Sequence, residues 1–251
     1  MMMSVDEKQK IANFLDLSVD YLGSGYKSVR EKYNFTDDTV QDPAENDSIE
    51  QIASEIRECK NCQLCVKRTN AVPGEGSQHP LVMVIGEGPG QDEDAKGRPF
   101  VGKAGQLLDK MLSSINLSRN ENCFIANVVK CRPPNNRDPY PEETAACAHF
   151  IERQISLLKP KFILILGRVA AQALLKTTEP IVKLRTSISS FNVGNTSYPY
   201  LVTYHPAALL RNEEYKRPTW EDLKTLSSKL EVKSDAAKEV KSSSLSNNEV
   251  I

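Results

Sequence analysis

Four short apolar runs alternate with segments of helical periodicity, and no other feature of the chain constrains its fold as tightly. Leu81–Ile85 is closed by Gly86, Phe162–Leu166 by Gly167, and Cys123–Val129 and Tyr200–Tyr204 run into polar residues. Each is too short for a helix and rich in β-branched or aromatic residues, so each predicts a buried strand. Between and after them, Ala104–Leu117, Pro141–Leu158, Val169–Lys176 and Thr219–Leu230 carry helical spacing; Glu142 and Glu143 sit in a first turn, where the helix dipole favours acids. A further helix, Ile49–Val66, ends among cysteines. Strand–helix alternation of this kind predicts a parallel sheet covered on both faces. Ligands of such sheets bind at the carboxyl ends of the strands. Gly86–Asp94, Asn127–Arg137, Gly167–Ala170 and His205–Arg211 all fall there, which predicts one site.

The flanks read differently. Residues 4–22 place Ile11, Phe14, Leu15 and Leu22 at helical spacing before Gly23-Ser24-Gly25, and residues 34–48 form an acidic linker with Pro43. Residues 231–251 are rich in Ser, Lys, Glu and Asn without a core-forming pattern, and are expected to be disordered. The chain thus divides into a leader (1–48), a domain (49–230) and a tail (231–251). Residues 1–48 hold five Lys/Arg against ten Asp/Glu, whereas residues 49–230 hold 24 against 19, so the mildly basic part is the domain. That balance suits a polyanion, and equally a solvated surface. No apolar run approaches the roughly 20 residues of a membrane span, and the first ten residues are polar and acidic. A cytoplasmic protein without a membrane partner is expected, and its six cysteines then read as metal or redox groups rather than disulfides.

Cys59-x2-Cys62, followed by the distant Cys131 and Cys147, is a set able to make a four-thiolate site. Buried cysteines are also ordinary core fillers. Cys131, however, stands between Lys130 and Arg132-Pro133-Pro134, a poor place for a filler. Spacing leaves zinc and an iron–sulfur cluster both open. Cys123 opens an apolar strand and reads as core; Cys65 is undecided.

The loop Gly86-Glu87-Gly88-Pro89-Gly90-Gln91-Asp92-Glu93-Asp94 lets backbone approach a ligand closely. Pro89 and four acids in nine residues spoil a dinucleotide fingerprint and suit water activation or cation stabilisation better. Taken alone, the loop is also an ordinary strand-to-helix turn.

Three blocks in order then resemble one family. Gly86-Glu87-Gly88-Pro89-Gly90 with Glu93-Asp94, Gly97-Arg98-Pro99-Phe100-Val101-Gly102 and Ala104-Gly105 make the first; Asn127-Val128-Val129-Lys130-Cys131-Arg132-Pro133-Pro134 with Asn136-Arg137 the second; His205-Pro206-Ala207 with Leu209-Leu210-Arg211 the third. From about Cys59 to Trp220 the chain resembles the family 4, iron–sulfur uracil-DNA glycosylases. The resemblance implies a three-layer α/β/α sandwich on a central four-stranded parallel sheet, and a 4Fe–4S cluster on Cys59, Cys62, Cys131 and Cys147. It implies a monomeric, monofunctional hydrolase that releases uracil from single- or double-stranded DNA and leaves an abasic site.

That reaction breaks the bond between deoxyribose C1′ and uracil N1. The base must be flipped, read and stabilised as an anion, and water delivered to the sugar. By resemblance, Phe100 stacks on the flipped ring, Asn127 reads the uracil edge, and Gly86 and Gly88 line the pocket with backbone. His205, unlike His79 and His149, stands at the carboxyl end of a strand, and fits the donor to O2. Glu93 is the first choice to position water, with Glu87 as a binding-loop acid and Asn136 assisting. Gly88 stands where family 1 enzymes carry their Asp, and Gly90 where they exclude thymine with a Tyr, so neither device is available here. Leu209 and Leu210 beside Arg211 suit a wedge into the gap left by the base. Lys103, Lys130, Arg132 and Arg137 suit phosphates around the mouth.

Two departures matter. Arg185-Thr186 replaces the family's Arg-Gly, and no basic, His-bearing insertion lies between Gly97 and Gly105, with Gln106 following, so turnover rather than covalent trapping is expected. The alternatives are an inactive iron–sulfur DNA-binding protein and a nucleotide-dependent redox enzyme. Intact Phe100, Asn127 and His205 argue against the first; Pro89, and Asn127 in place of a strand-end acid, argue against the second.

Overall fold

A computed structural model describes residues 47–185 and 187–245, with side chains described to residue 230. The expected leader helix at 4–22, most of the linker, Thr186 and residues 246–251 lie outside the described residues.

The four predicted strands form as β2 (Val82–Gly86), β3 (Cys123–Asn127), β4 (Phe162–Leu166) and β6 (Thr196–Thr203), and all pair in parallel, in the order β3-β2-β4-β6. Two strands absent from the sequence reading close the edges, making six among the described residues. β1 (Glu75–Gly76) runs antiparallel to β3, and β5 (Ser189–Val193) antiparallel to β6. β1 is two residues long, and β5 is mostly exposed and polar, so neither carries an apolar signal. The hairpin signal that would have found β5 is Gly194-Asn195 between Val193 and Thr196, a two-residue turn with Gly194 at φ +56°.

Side chains alternate across the sheet as strand geometry requires. Val82, Val84, Ile125, Leu164, Leu166 and Leu201 face one core, whereas Met83, Ile85, Phe124, Ala126, Ile163 and Ile165 face the other. The helices are α1 (Ile49–Glu58), α2 (Leu64–Lys67), α3 (Gln91–Lys96), α4 (Lys103–Ser113), α5 (Pro141–Leu158), α6 (Arg168–Leu175), α7 (Ile181–Leu184), α8 (Pro206–Arg211) and α9 (Lys216–Leu245). Leu108, Met111 and Leu112 of α4 and Leu223 and Leu226 of α9 fill the first core; Ile151 and Ile155 of α5 and Ala170 and Ala171 of α6 fill the second. A third, smaller core joins Ile52 and Ile56 of α1 to Leu64, Val129, Cys131, Cys147 and Phe150.

Two boundaries differ from expectation. The helix expected over Ile49–Val66 stops at Glu58, because Cys59 turns to an extended ψ of 134°, and a separate short helix follows at Leu64. α9 continues to Leu245 through the segment expected to be disordered. That segment lacks Gly and Pro and carries Ala236, Ala237 and several Lys and Glu, so a helix started by a docked first half meets nothing that stops it. No helix among the described residues is long and apolar enough to cross a membrane.

Candidate active site and cysteine centre

Strand order reverses between β2 and β4, and the crevice at such a switch point is where open α/β sheets bind ligands. Asn127 and Gly86 are register partners at the ends of β3 and β2. A Cβ at Gly86 would lie 2.5 Å from Asn127 Oδ1 and 2.6 Å from Phe100 Cζ. Only glycine therefore lets the asparagine amide and the phenylalanine ring converge at this point. Phe100 and His205 rings lie 5.5 Å apart at 33°. The structure thus gathers four of the sequence-derived residues, Gly86, Phe100, Asn127 and His205, into one cluster at the carboxyl end of the sheet.

Asn127 is buried, and its Oδ1 is, among the described residues, the buried side-chain polar atom without a hydrogen-bond partner. An unpaired buried acceptor costs about 1–3 kcal/mol, so it marks a place where a donor is to be supplied.

His205 caps α8, and its Nδ1 accepts the Ala207 N–H at 3.2 Å. Burial, helped by Arg211 and opposed by Glu93, lowers its pKa from 6.5 to about 4. The ring is neutral at pH 7; with Nδ1 accepting, the proton sits on Nε2, which becomes the donor. Gly167 packs behind it: a Cβ there would meet His205 Cβ at 2.9 Å, and its φ of +90° favours glycine as well.

Phe100 is held in a left-handed backbone conformation, φ +51°, which a bulky residue adopts only under constraint. The constraint is Arg119, which the sequence reading did not single out. Its guanidinium donates to the Pro99 and Phe100 carbonyls at 2.9 and 2.8 Å and ion-pairs with Glu75 and Asp109.

Glu93 departs from its expected role. Its Oε1 accepts the Val101 and Gly102 N–H groups at 2.8 and 2.9 Å, and its Oε2 accepts the Gly90 N–H at 3.1 Å. Both oxygens brace the glycine loop against the Phe100 loop, so the carboxylate is committed to backbone rather than to water. Glu87 has the opposite surroundings. Burial first, and then Asp138, push its carboxyl up to about 7, against Arg168 and Arg211. The charge of Arg211 bears on both Glu87 and His205. Gly88 packs against Val129, where a Cβ would come to 2.7 Å of Cγ2.

Three further expected residues are placed as follows. Asn136 is exposed and accepts from Arg132 Nε at 2.8 Å. Leu209 is 3% exposed and belongs to the first core, whereas Leu210 is 52% exposed. The reason is helical: in α8 adjacent residues point about 100° apart, so one leucine faces in and one out. Lys130 is 1% exposed and unavailable to phosphate. Its Nζ donates to the Asn127 backbone carbonyl at 2.9 Å and to Gln154 Oε1 at 2.8 Å. Arg137 is held by Glu143 at 2.8 and 2.7 Å and stacks on Tyr140, while Lys103 and Arg211 are exposed. Arg185 is clamped by Asp222, which also accepts from Thr203 Oγ1 at 2.6 Å, fixing the end of β6 just before His205.

The four expected cysteines meet in the third core. Cys131 and Cys147 are buried there and Cys59 and Cys62 pack against it; Cys123 lies apart in the first core. Among the described residues their side chains do not close into a preformed metal-binding set. The surroundings nevertheless suit a thiolate-bound group of negative charge. Arg68 Nη1 donates to Cys131 Sγ at 3.0 Å, and Cys131 and Cys147 both act on the buried Lys130. Burial first, and then Cys147 and Cys62, push the Cys131 thiol up to about 11 against Arg68, so neutral thiols leave these cations uncompensated, whereas metal-bound thiolates balance them.

The Uracil DNA glycosylase superfamily model matches residues 73–224. A Type-4 uracil-DNA glycosylase of Saccharolobus solfataricus is 41% identical over 191 residues, 74% of this chain and 88% of the relative. One of Archaeoglobus fulgidus is 40% identical over 184 residues, 72% of this chain and 92% of the relative. A Type-5 uracil-DNA glycosylase of Thermus thermophilus is 35% identical over 154 residues, 53% and 68% of the two chains. On the strength of these matches and of the pocket they cover, the chain belongs to the uracil-DNA glycosylase superfamily, as a member of its Type-4 family.

Proposed function

We propose that this pocket hydrolyses the N-glycosidic bond of uracil in DNA, and that its residues divide the work as follows. The flipped ring stacks on Phe100. Asn127 Oδ1 accepts from uracil N3–H while its amide N–H donates to O4. Cytosine offers the reverse pattern and leaves these groups unpaired. As the C1′–N1 bond breaks, its electron pair goes to the base and spreads onto O2, which the Nε2–H of neutral His205 faces. Glu87, as a carboxylate, orients water toward C1′ and takes its proton as the C1′–O bond forms. Glu93 holds the two loops, and Gly86 and Gly88 keep the pocket narrow. Leu210 fills the gap in the duplex, with Arg211 and Lys103 on phosphates.

Cys59, Cys62, Cys131 and Cys147 would hold a 4Fe–4S cluster, whose contribution is a cross-link between the chain around Cys59–Cys62 and the end of β3. DNA is the partner, single- or double-stranded, and the enzyme acts as a monomer; residues 49–230 carry the activity, with 1–48 and 231–251 as appendages.

The observation that carries the reading is the orphaned Asn127 Oδ1 beside Phe100. The test is incubation of iron-loaded protein with a single-stranded oligonucleotide holding one uracil, followed by alkali. Cleavage at uracil and its loss in Asn127→Ala support the assignment. An inactive, fully loaded protein that still binds the oligonucleotide favours a DNA-binding module instead.

A further inference from the structure

The largest fully buried side chain of the described residues is a lysine. A cation taken out of water needs strong partners. Lys130 has two acceptors, both from elements of function. One is the backbone carbonyl of Asn127, three residues upstream, and the other is Gln154 Oε1 on α5. Gln154 is itself buried, and its Nε2 is spent on the Pro73 carbonyl at 2.8 Å, so its oxygen has a fixed aim. The Lys130 main chain faces the other way. It is bonded directly to Cys131 of the cysteine centre, and its carbonyl accepts the Val72 N–H at 2.7 Å. One residue therefore touches the cysteine centre with its backbone and the base-reading strand end with its side chain.

We propose that Lys130, aimed by Gln154, is a positioning residue that couples the cysteine centre to Asn127, so that the centre supports reading of the base and not only the fold. Its ammonium fixes the carbonyl at the point where β3 ends. The direction of the Asn127 side chain follows from that peptide plane. Cys131 follows Lys130 directly, so the backbone that places the ammonium is the backbone that the cysteine centre holds. A chain whose centre is empty holds the ammonium less firmly, and Asn127 with it. The proposal rests on the reading of Asn127 given above.

The experiment measures, on full-length protein, iron content, thermal midpoint, the Kd for free uracil and kcat/KM on single-stranded uracil DNA. The variants are Lys130→Met, which keeps the length and loses the charge, Gln154→Leu, which loses only the acceptor, and Asn127→Ala. Misplacing a substrate-positioning group by an ångström costs about a hundredfold, so a fall of that order in kcat/KM per iron-loaded molecule is expected for Lys130→Met, with uracil binding weakened in parallel. If Lys130→Met does not fold, Gln154→Leu decides: it must weaken uracil binding while retaining its iron. Activity that falls only in proportion to lost iron, with uracil Kd unchanged, overturns the coupling and leaves Lys130 a structural residue. Uracil binding that survives in Asn127→Ala overturns the assignment of Asn127 instead, and the two failures are thereby distinguished.

Discussion

In the reaction proposed above, His205 and Glu87 have opposite needs. The imidazole donates best as a neutral ring, and burial keeps it neutral down to about pH 4. In the unfolded chain it takes a proton near 6.5, so folding is favoured less as pH falls from 6.5 to 4, and this contribution is constant above that window. Glu87 must be ionised to accept a proton, and its value is about 7. Activity is therefore expected to rise with pH through about 7, with the acid limb belonging to Glu87 and not to His205. Glu87→Gln should remove that limb and lower kcat by about 10²–10⁴. A limb that persists unchanged in Glu87→Gln assigns it to another group. The adjacent leucines give a second residue-scale contrast. Leu209→Ala should cost about 2–5 kcal/mol in denaturant unfolding. Leu210→Ala should leave stability within about 0.5 kcal/mol and reduce turnover on duplex more than on single strands. The sequence showed Phe100, Asn127 and His205 through their motif blocks, but Glu93, Leu209 and Lys130 only as residue types. Whether a carboxylate meets water or three amides is decided by loops that approach from Gly90 and Val101, and no local pattern reports that meeting.

At the scale of elements, α4 illustrates how a contact overrides propensity. Gly105 lies inside this helix, where alanine is ordinarily better by about 1 kcal/mol. Yet a Cβ there would stand 1.9 Å from the Phe100 carbonyl oxygen, which is backbone held by Arg119 and cannot give way cheaply. Steric repulsion wins: Gly105→Ala is expected to lose about 3 kcal/mol in urea unfolding and to raise KM by displacing the stacking ring. A variant as stable as the parent would mean that the Phe100 loop tolerates displacement. The four parallel strands were legible because they are buried on both faces and read as unbroken apolar runs. The edge strands were not, because β1 is defined by its pairing with β3 and β5 by a hairpin, and both depend on partners distant from their own composition. The extension of α9 to Leu245 was not legible because residues 231–245 carry no apolar periodicity in the sequence.

For the whole molecule, the three cores differ in size in a way that locates what removal of the proposed cluster would do. The two sheet cores hold 17 and 15 buried residues and close on themselves, whereas the third holds eight, four of them (Val129, Cys131, Cys147 and Phe150) on β3's end and α5. Beyond Ile49, which also packs against the second core, what ties α1 and the cysteine segment to the body is polar. Arg153 pairs with Asp47 and Glu55, and Asp94 accepts the Thr69 and Asn70 N–H groups at 2.8 and 3.2 Å. Part-exposed ion pairs contribute little, about 0–1 kcal/mol each, so the small core depends on its cross-link. Chelation of the iron is therefore expected to raise amide exchange across α1, α2 and residues 59–72, while β2, β4 and β6 keep the protection of the intact protein. Residues 128–131 lie on the border, since Val129 belongs to the small core and Lys130 is hydrogen-bonded to the carbonyl of Asn127 at the end of β3. Faster exchange there, alongside a quiet sheet, would connect loss of iron to loss of uracil binding without global unfolding. Equal acceleration in all strands would instead make the chain one cooperative unit, stabilised throughout by its metal.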